Sequence, residues 1–346
     1  GQVPGMIIHK RTDTNEDWRV YHRMANGGNS PEDYIIQLNG DDDFSNDNTN
    51  FGAPTSTHFV VKTSSGTNNS SGTYIAYLFG HDTSSDGMIQ CGSYTGDGGS
   101  SNSVNLGFEP QWVLIKDAAN SSTNRRWVIL DNIRGIVSNG DDERLEANYA
   151  GAAVNAGGIT LTPSGFYLES NNEYNSNGAT YIYMAIRRGP MQTPTSTSSV
   201  FAINNRNSTG SSINITSNFP VDWFFTKTRD DAYGFQQLSR LQGNAARLGF
   251  YGTFVEQTDP NFEFDHNNKV VAGSDSSIGI NISGDNNIDY MFRRAPNFFD
   301  VVTYSGNGSV RTINHNLGVV PDMIWIKLRT STGGFARGWV VTSLHL

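Results

Sequence analysis

The chain has 346 residues, room for two or three domains. Its formal net charge of −9 disfavours a general nucleic-acid binder, since phosphate binding needs clustered Lys and Arg. A single cysteine, Cys91, excludes an intrachain disulfide and a Cys-based zinc site, and no run of 18 apolar residues offers a transmembrane helix. Charged residues make up only 16%, with Gly, Ser, Thr and Asn in their place, as on the surface of an all-β protein with many polar turns.

The chain opens on Gly1-Gln-Val-Pro-Gly-Met-Ile-Ile-His-Lys10, a β-type run entered through a proline. Strands are predicted next at Trp18-Arg-Val-Tyr21, Tyr34-Ile-Ile-Gln-Leu38, His58-Phe-Val-Val-Lys62 and Thr73-Tyr-Ile-Ala-Tyr-Leu-Phe79. The polar stretch 39–50 and the Ser/Gly/Thr/Asn run 64–72 read as loops, the second as a flexible one. The opening phrase returns as Gly107-Phe-Glu-Pro-Gln-Trp-Val-Leu-Ile-Lys116, blurred as Phe219-Pro-Val-Asp-Trp-Phe-Phe-Thr-Lys227, and again as Gly318-Val-Val-Pro-Asp-Met-Ile-Trp-Ile-Lys327. The prolines Pro4, Pro110, Pro220 and Pro321 are spaced by 106, 110 and 101 residues, the size of a small domain.

The second copy repeats the order of the first, with Trp127-Val-Ile-Leu130, Gly165-Phe-Tyr-Leu168 and Thr180-Tyr-Ile-Tyr-Met184. Residues 142–150 hold the best helix formers, Glu143-Arg-Leu-Glu-Ala, and predict a helix. The third copy diverges: Trp223-Phe-Phe-Thr226, then Phe235-Gln-Gln-Leu238, Phe262-Glu-Phe264 and Asp289-Tyr-Met-Phe292. Residues 235–247 read equally as a helix or as a strand and loop. Tyr94 and Tyr304 stand in a linking segment ahead of the key phrase, which is expected to pair with the key phrase as an antiparallel neighbour.

This pattern predicts tandem antiparallel β-sandwich, jelly-roll-like, repeats of about 105 residues. The expected division is 1–90 for a first repeat lacking its N-terminal part, 91–190 for a second, 191–296 for a diverged third, and 297–346 for the start of a truncated fourth. Because both ends cut through a repeat, the sequence is expected to come from a longer polypeptide.

No catalytic, cofactor or metal constellation stands out. The acidic groups Asp41-Asp42-Asp43, Asp141-Asp142-Glu143 and Asp230-Asp231 have the residue types for glycoside cleavage or Ca²⁺ binding, but none has EF-hand spacing, and each reads as a solvated loop. The histidines His9, His22, His58, His81, His266, His315 and His345 form no zinc pattern; His315 is placed to cap a turn. Cys91 reads as a small buried hydrophobe. Gly96-Asp-Gly98 reads as a hairpin turn rather than half a phosphate loop. Trp112, Trp127, Trp223, Trp325 and Trp339 recur beside Ile and Val, so a core role is favoured over a sugar-stacking platform, with Trp325 and Met323 read as core. Arg187-Arg188-Gly-Pro190 and Arg293-Arg294-Ala-Pro296 are expected to bridge to a neighbouring unit's acids.

The run from Arg294 through Tyr304-Ser-Gly-Asn-Gly308 to Lys327 resembles a repeat of tailed-phage virion proteins, especially from marine and cyanobacterial phages. Ile89-Gln-Cys-Gly-Ser-Tyr-Thr-Gly96, Trp112-Val-Leu-Ile-Lys116 and Tyr181-Ile-Tyr-Met-Ala-Ile-Arg-Arg188 resemble the same family, whose likeness is weakest over 195–285. The resemblance implies a non-enzymatic virion protein in a tail fibre, tail appendage or capsid-surface fibre. Its partners would be other virion proteins, copies of itself and host surface glycan, with no nucleic acid and no membrane insertion. No catalytic residue and no cofactor comes with it. The alternatives are a secreted carbohydrate-binding module array or a polysaccharide depolymerase, the latter requiring two converging carboxylates.

Overall fold

Each key phrase folds as a strand that takes the centre of a sheet, and the computed structural model shows why. Consecutive apolar side chains, Met6–Ile8 and Trp112–Ile115, fill the middle of the strands Pro4–Arg11 and Pro110–Asp117, where both faces are covered. Each pairs antiparallel on one side with a short hairpin partner, Arg19–His22 or Val128–Asp131, and on the other with a closing strand some 70 residues on, Tyr74–Gly80 or Thr180–Arg187. Trp223–Thr228 sits likewise between Gln236–Ser239 and Asn286–Phe292. In the first two copies the proline is the first strand residue and a register shift follows at once, between Pro4 and Met6 and between Pro110 and Trp112. Proline lacks a ladder donor, so it is tolerated there and at a bulge. Five residues before Trp112 and Met323 stand Gly107 and Gly318, both at φ +72°; Asn218 holds the same left-handed corner before Trp223 at φ +67°.

The described residues are 1–99, 102–118, 125–137, 141–169, 173–189, 192–243, 246–258, 262–274, 278–330 and 338–344. The chain is all-β, a tandem series of antiparallel sandwich repeats. It forms two compact units: Gly1–Asp131 with Asn139–Arg188, and Asn132–Ser138 with Gly189–Leu346.

In the first unit, one five-stranded sheet carries the first key strand and one six-stranded sheet carries the second. They share a core: Met6, Val20 and Ile36 meet Cys91, Leu114, Trp127, Ile182 and Met184. The opposite face of the first sheet closes on Phe51 and Phe59 of a small hairpin. That of the second closes on a three-stranded sheet, where Phe166 meets Tyr183 edge-on at 6.2 Å between ring centroids. Full burial of such side chains stabilises by about 1.5–3 kcal/mol each.

The second unit packs a six-stranded sheet on a three-stranded one. Phe224, Leu238 and Met291 meet Ile215, Phe262, Val270 and Ala272. A two-stranded ribbon, Met323–Ile326 with Val340–Ser343, carries the fourth key phrase.

Three expectations are corrected and one open reading is resolved. Residues 142–150 hold a strand, Glu143–Glu146, paired to Val128–Asp131, because sheet pairing overrides modest helix propensity. Its Arg144 is buried, bridging Glu146 at 3.4 Å, and also pairs with Glu173. Residues 235–247 resolve into the strand Gln236–Ser239, a 3-10 turn and the start of a second strand, Ala246–Gly249. The run 64–72 is a built loop: Thr67 donates to the Asn50 carbonyl at 3.1 Å, and a Cβ on Gly66 would lie 2.9 Å from Arg19 Nε. The linking strand Ile89–Thr95 does not pair with its own key strand. It lies outside the closing strand Thr180–Arg187, the free edge once the key strand has taken the other.

Candidate functional site

The polar groups repeated with the key strand hold it in place. The lysine that ends each of the first three phrases is a hairpin clamp. Lys10 Nζ donates to the Arg11 and Glu16 carbonyls at 2.9 and 2.7 Å. Lys116 Nζ donates to those of Asp41, Asp117 and Arg125 at 3.0, 3.0 and 2.8 Å, and Lys227 Nζ to that of Tyr233. Lys116 is fully buried, and desolvation brings its ammonium down to about 8, against the nearby carboxylates of Asp117 and Asp41. The recurrence of these lysines with the prolines was visible in the sequence; their target carbonyls were not.

The acidic groups prove to be fasteners. Asp41 accepts from Asn148 Nδ2 at 2.5 Å, and its carbonyl takes Lys116, so this loop is tied to the second sheet instead of being simply solvated. Asp141 accepts from the Gly157 amide at 2.8 Å, and fully buried Asp142 from that of Ile159 at 2.9 Å. Asp230 accepts from the backbone and side chain of Asn286 at 2.6 and 2.8 Å, which holds its carboxyl below the usual range. Among the described residues, no three His, Cys, Asp or Glu side chains gather as a metal site.

The histidines split by burial. His22 is fully buried, its Nε2 lies 3.1 Å from the Tyr183 carbonyl, and desolvation pushes it down to about 4. Burial also lowers His9, packed against Tyr74 at 5.2 Å, and His81, whose Nδ1 accepts from the Cys91 amide at 3.1 Å. His315 caps a turn, its Nδ1 accepting from the Leu317 amide at 3.3 Å. His58 lies in an exposed turn, His266 is 3.7 Å from Glu263, and His345 lies outside the described residues. Cys91 is fully buried and its thiol is pushed up to about 12, as for an inert small hydrophobe. Asp97 accepts from the Gly99 amide at 2.8 Å, and Gly98 sits at φ +69°, which makes 96–98 a turn.

Of the arginine pairs, Arg188 bridges to an acid of its own repeat, while Arg294 bridges to an acid of the segment assigned to the next repeat. Arg188 reaches Glu109 at 3.3 Å, beside Pro110 of the same repeat, and Arg294 reaches Asp300 at 2.7 Å. Each ties the end of a closing strand to a nearby loop; Pro190 lies outside the described residues. Sequence reasoning missed two buried guanidinium centres in the second unit. Arg206 pairs with fully buried Asp289 at 2.7 Å, and Asp289 also accepts from Thr226 Oγ1 at 2.6 Å. Burial still raises the Asp289 carboxyl, with Arg206 opposing. Arg240 donates to the carbonyls of Val221 and Phe264 at 2.7 and 2.8 Å. Neither lies in a motif, so no sequence signal marked them.

What is left facing outward is aromatic. On the outer face of the second unit's large sheet, Trp223 stacks on Phe299 at 5.2 Å, and it meets Phe292 at 5.0 Å and Trp325 edge-on at 6.0 Å. Phe250 lies between Trp325 and Trp339, at 5.8 and 5.5 Å. Trp339 Nε1 is anchored on the Gly249 carbonyl at 2.9 Å. Trp127 is core, 1% exposed, and its Nε1 donates to the Gln37 carbonyl at 2.8 Å. Trp325 is 47% exposed and Met323 is exposed, contrary to the core expectation, because a two-stranded ribbon cannot cover both of its own faces. Beside the cluster a shallow depression is lined by Lys227, Tyr233, Phe235, Phe250 and Tyr251. Such a surface can stack on flat apolar faces, sugar rings included.

A family model described as Domain of unknown function (DUF7483) matches residues 1–190. The chain belongs to that family. No curated protein and no solved structure matches it. The DUF7483 stretch ends within two residues of Arg188, where the first compact unit ends. It therefore takes in two sequence repeats, whose sheets share the core around Trp127.

Proposed function

We propose that the chain is a non-enzymatic structural protein of a bacteriophage particle, part of a tail fibre, tail appendage or capsid-surface fibre. It would act in assembly and in adhesion to the host surface. The observation that carries this reading is how the polar side chains are spent: the recurrent lysines, acids and arginines close hairpins and tie loops, a scheme suited to a tandem scaffold. The likeness of the segments around Tyr94, Tyr181 and Tyr304 to virion repeats supports the same reading. Adhesion would come from many weak contacts along linked units, adding through effective concentration. Immunogold labelling of purified particles with an antibody to the chain is the test. Labelling along fibres or appendages is expected, and unlabelled particles from a phage that encodes the chain would end the proposal.

The half-exposed aromatic surface around Trp325 favours one second reading, a secreted carbohydrate-binding array. It expects glycan-array binding that Trp325→Ala lowers at least tenfold; no glycan bound by the intact chain would remove it.

A further inference from the structure

The two repeats of the first unit meet at a seam that carries two histidines, and protonation breaks the contacts of both rings. His22 ends the strand Arg19–His22 of the first repeat, yet its Nε2 donates to the Tyr183 carbonyl of the second at 3.1 Å. Its Nδ1 accepts from the Met24 amide at 3.2 Å. A neutral ring with its proton on Nε2 fits both contacts; a protonated ring sets a second N–H against that of Met24. His81 follows the closing strand of the first repeat, and both of its nitrogens face donors. The Cys91 amide of the second repeat lies 3.1 Å from Nδ1, and Arg23 Nη1 lies 3.1 Å from Nε2. A neutral ring accepts one of the two, and a protonated ring accepts neither. The repeats approach closely here: a Cβ on Gly5 would lie 2.8 Å from the Cβ atoms of Cys91 and His81.

Little at this seam offsets a new positive charge. The charged groups acting on His22 are Arg23 and, once protonated, His81. Asp82 acts on His81, behind burial and Arg23 in size. Cys91 and Tyr183 face the seam from the second repeat and are neutral, the thiol and the hydroxyl both pushed up to about 12 by burial. What lies on either side is built without the seam. The sheet of the first repeat has a second core on its far face, around Ile7, Tyr21, Ile35 and Phe51. The sheet of the second has its own, where Phe166 meets Tyr183. The core between them, Met6, Val20 and Ile36 on Leu114, Ile182 and Met184, is therefore the part that can open while each repeat stays folded. We propose that the DUF7483 unit is an acid-opened clasp, in which protonation of His22 and His81 parts the two repeat sheets and bares the apolar faces between them.

The sign follows from the two forms of each ring. Burial lowers both, His22 to about 4 against an ordinary 6.5. The open form takes up protons that the closed form refuses, so opening is favoured as pH falls below 6.5 and disfavoured above it. For His22 alone, those two values raise the open population about 50-fold between pH 7 and pH 4.5. His81 shifts in the same direction and steepens the response. The clasp goes beyond the virion reading and does not rest on it, since it belongs to the isolated chain.

The experiment follows Cys91, the single cysteine, which is fully buried in the shared core. The full chain is labelled with dithiodipyridine, which reacts with thiols in acid, and the rate is divided by that of the urea-unfolded chain at the same pH. This protection of Cys91 is expected to fall at least about 30-fold from pH 7 to pH 4.5, with the far-ultraviolet circular dichroism unchanged. In the chain carrying both His22→Gln and His81→Gln, where neither side chain takes up a proton, the protection is expected to change less than about threefold. Constant protection in the unsubstituted chain, or dichroism lost together with the protection, would overturn the inference. So would the same acid response in the doubly substituted chain. The profile of the unsubstituted chain decides by itself where the double substitution prevents folding.

Discussion

The outer faces of the two large sheets, built on the second and third key strands, met opposite fates. In the first unit that face is Trp112, Leu114, Ile182 and Met184, and it is sealed beneath another five-stranded sheet. In the second unit the face is Trp223, Phe225, Tyr290 and Phe292, and among the described residues a two-stranded ribbon, Met323–Ile326 with Val340–Ser343, meets its aromatic cluster. The sealed face is mixed aliphatic and aromatic. The less covered one is a run of rings that stabilise one another laterally at 4.7–5.8 Å. One strand pattern can therefore present either a mixed aliphatic face to another sheet or a face of interlocking rings.

The largest expected effect breaks the second unit from within. Asp289→Ala leaves Arg206 charged and buried, and should cost about 3–5 kcal/mol in denaturant unfolding of that unit. Trp127→Ala should cost the first unit about as much, 3–5 kcal/mol, since it opens a void in the shared core and frees the Gln37 carbonyl. Trp325→Ala, on the half-exposed two-stranded ribbon, should cost about 1 kcal/mol or less. Equal losses at the two tryptophans would contradict the contrast drawn here.

A pH titration sharpens it further. His22 is held down to about 4 in the fold, against an ordinary 6.5, so the unfolded chain takes up its proton first. The stability His22 contributes is complete above pH 6.5 and falls as pH drops toward 4, by on the order of 3 kcal/mol. Unfolding profiles of the intact chain and of His22→Gln should diverge across that window and run parallel above it. The clamps differ from one another. Lys116→Met should cost about 1–3 kcal/mol by stranding buried carbonyls, and Lys10→Met, near solvent, below about 1 kcal/mol. Thermal melts of the two variants would order them.

Much of the candidate chemistry was legible as residue type but not as role. The four lysines could be read off the repeat, yet a clamp is defined by carbonyls that arrive from loops such as the one at Asp41. Asp142 looked like a solvated loop acid because its neighbours are polar; its partner, the Ile159 amide, lies 17 residues away. Arg206, Arg240 and Asp289 carry no motif, and only the sheet register brings Arg206 onto Asp289.

The sequence by itself determined the repeat, the all-β class, and the proline-entered strand with glycine or asparagine at its corner. These are local matters: φ restriction, missing donors and alternation act over a few residues. Only the tertiary structure decided that 142–150 is a strand and that the linking strand lies beyond the closing strand. It also decided that two repeats share one core and that Trp127 is buried while Trp325 is not. Those outcomes depend on which edge is left open and which face is covered, and both are set by strands tens of residues away.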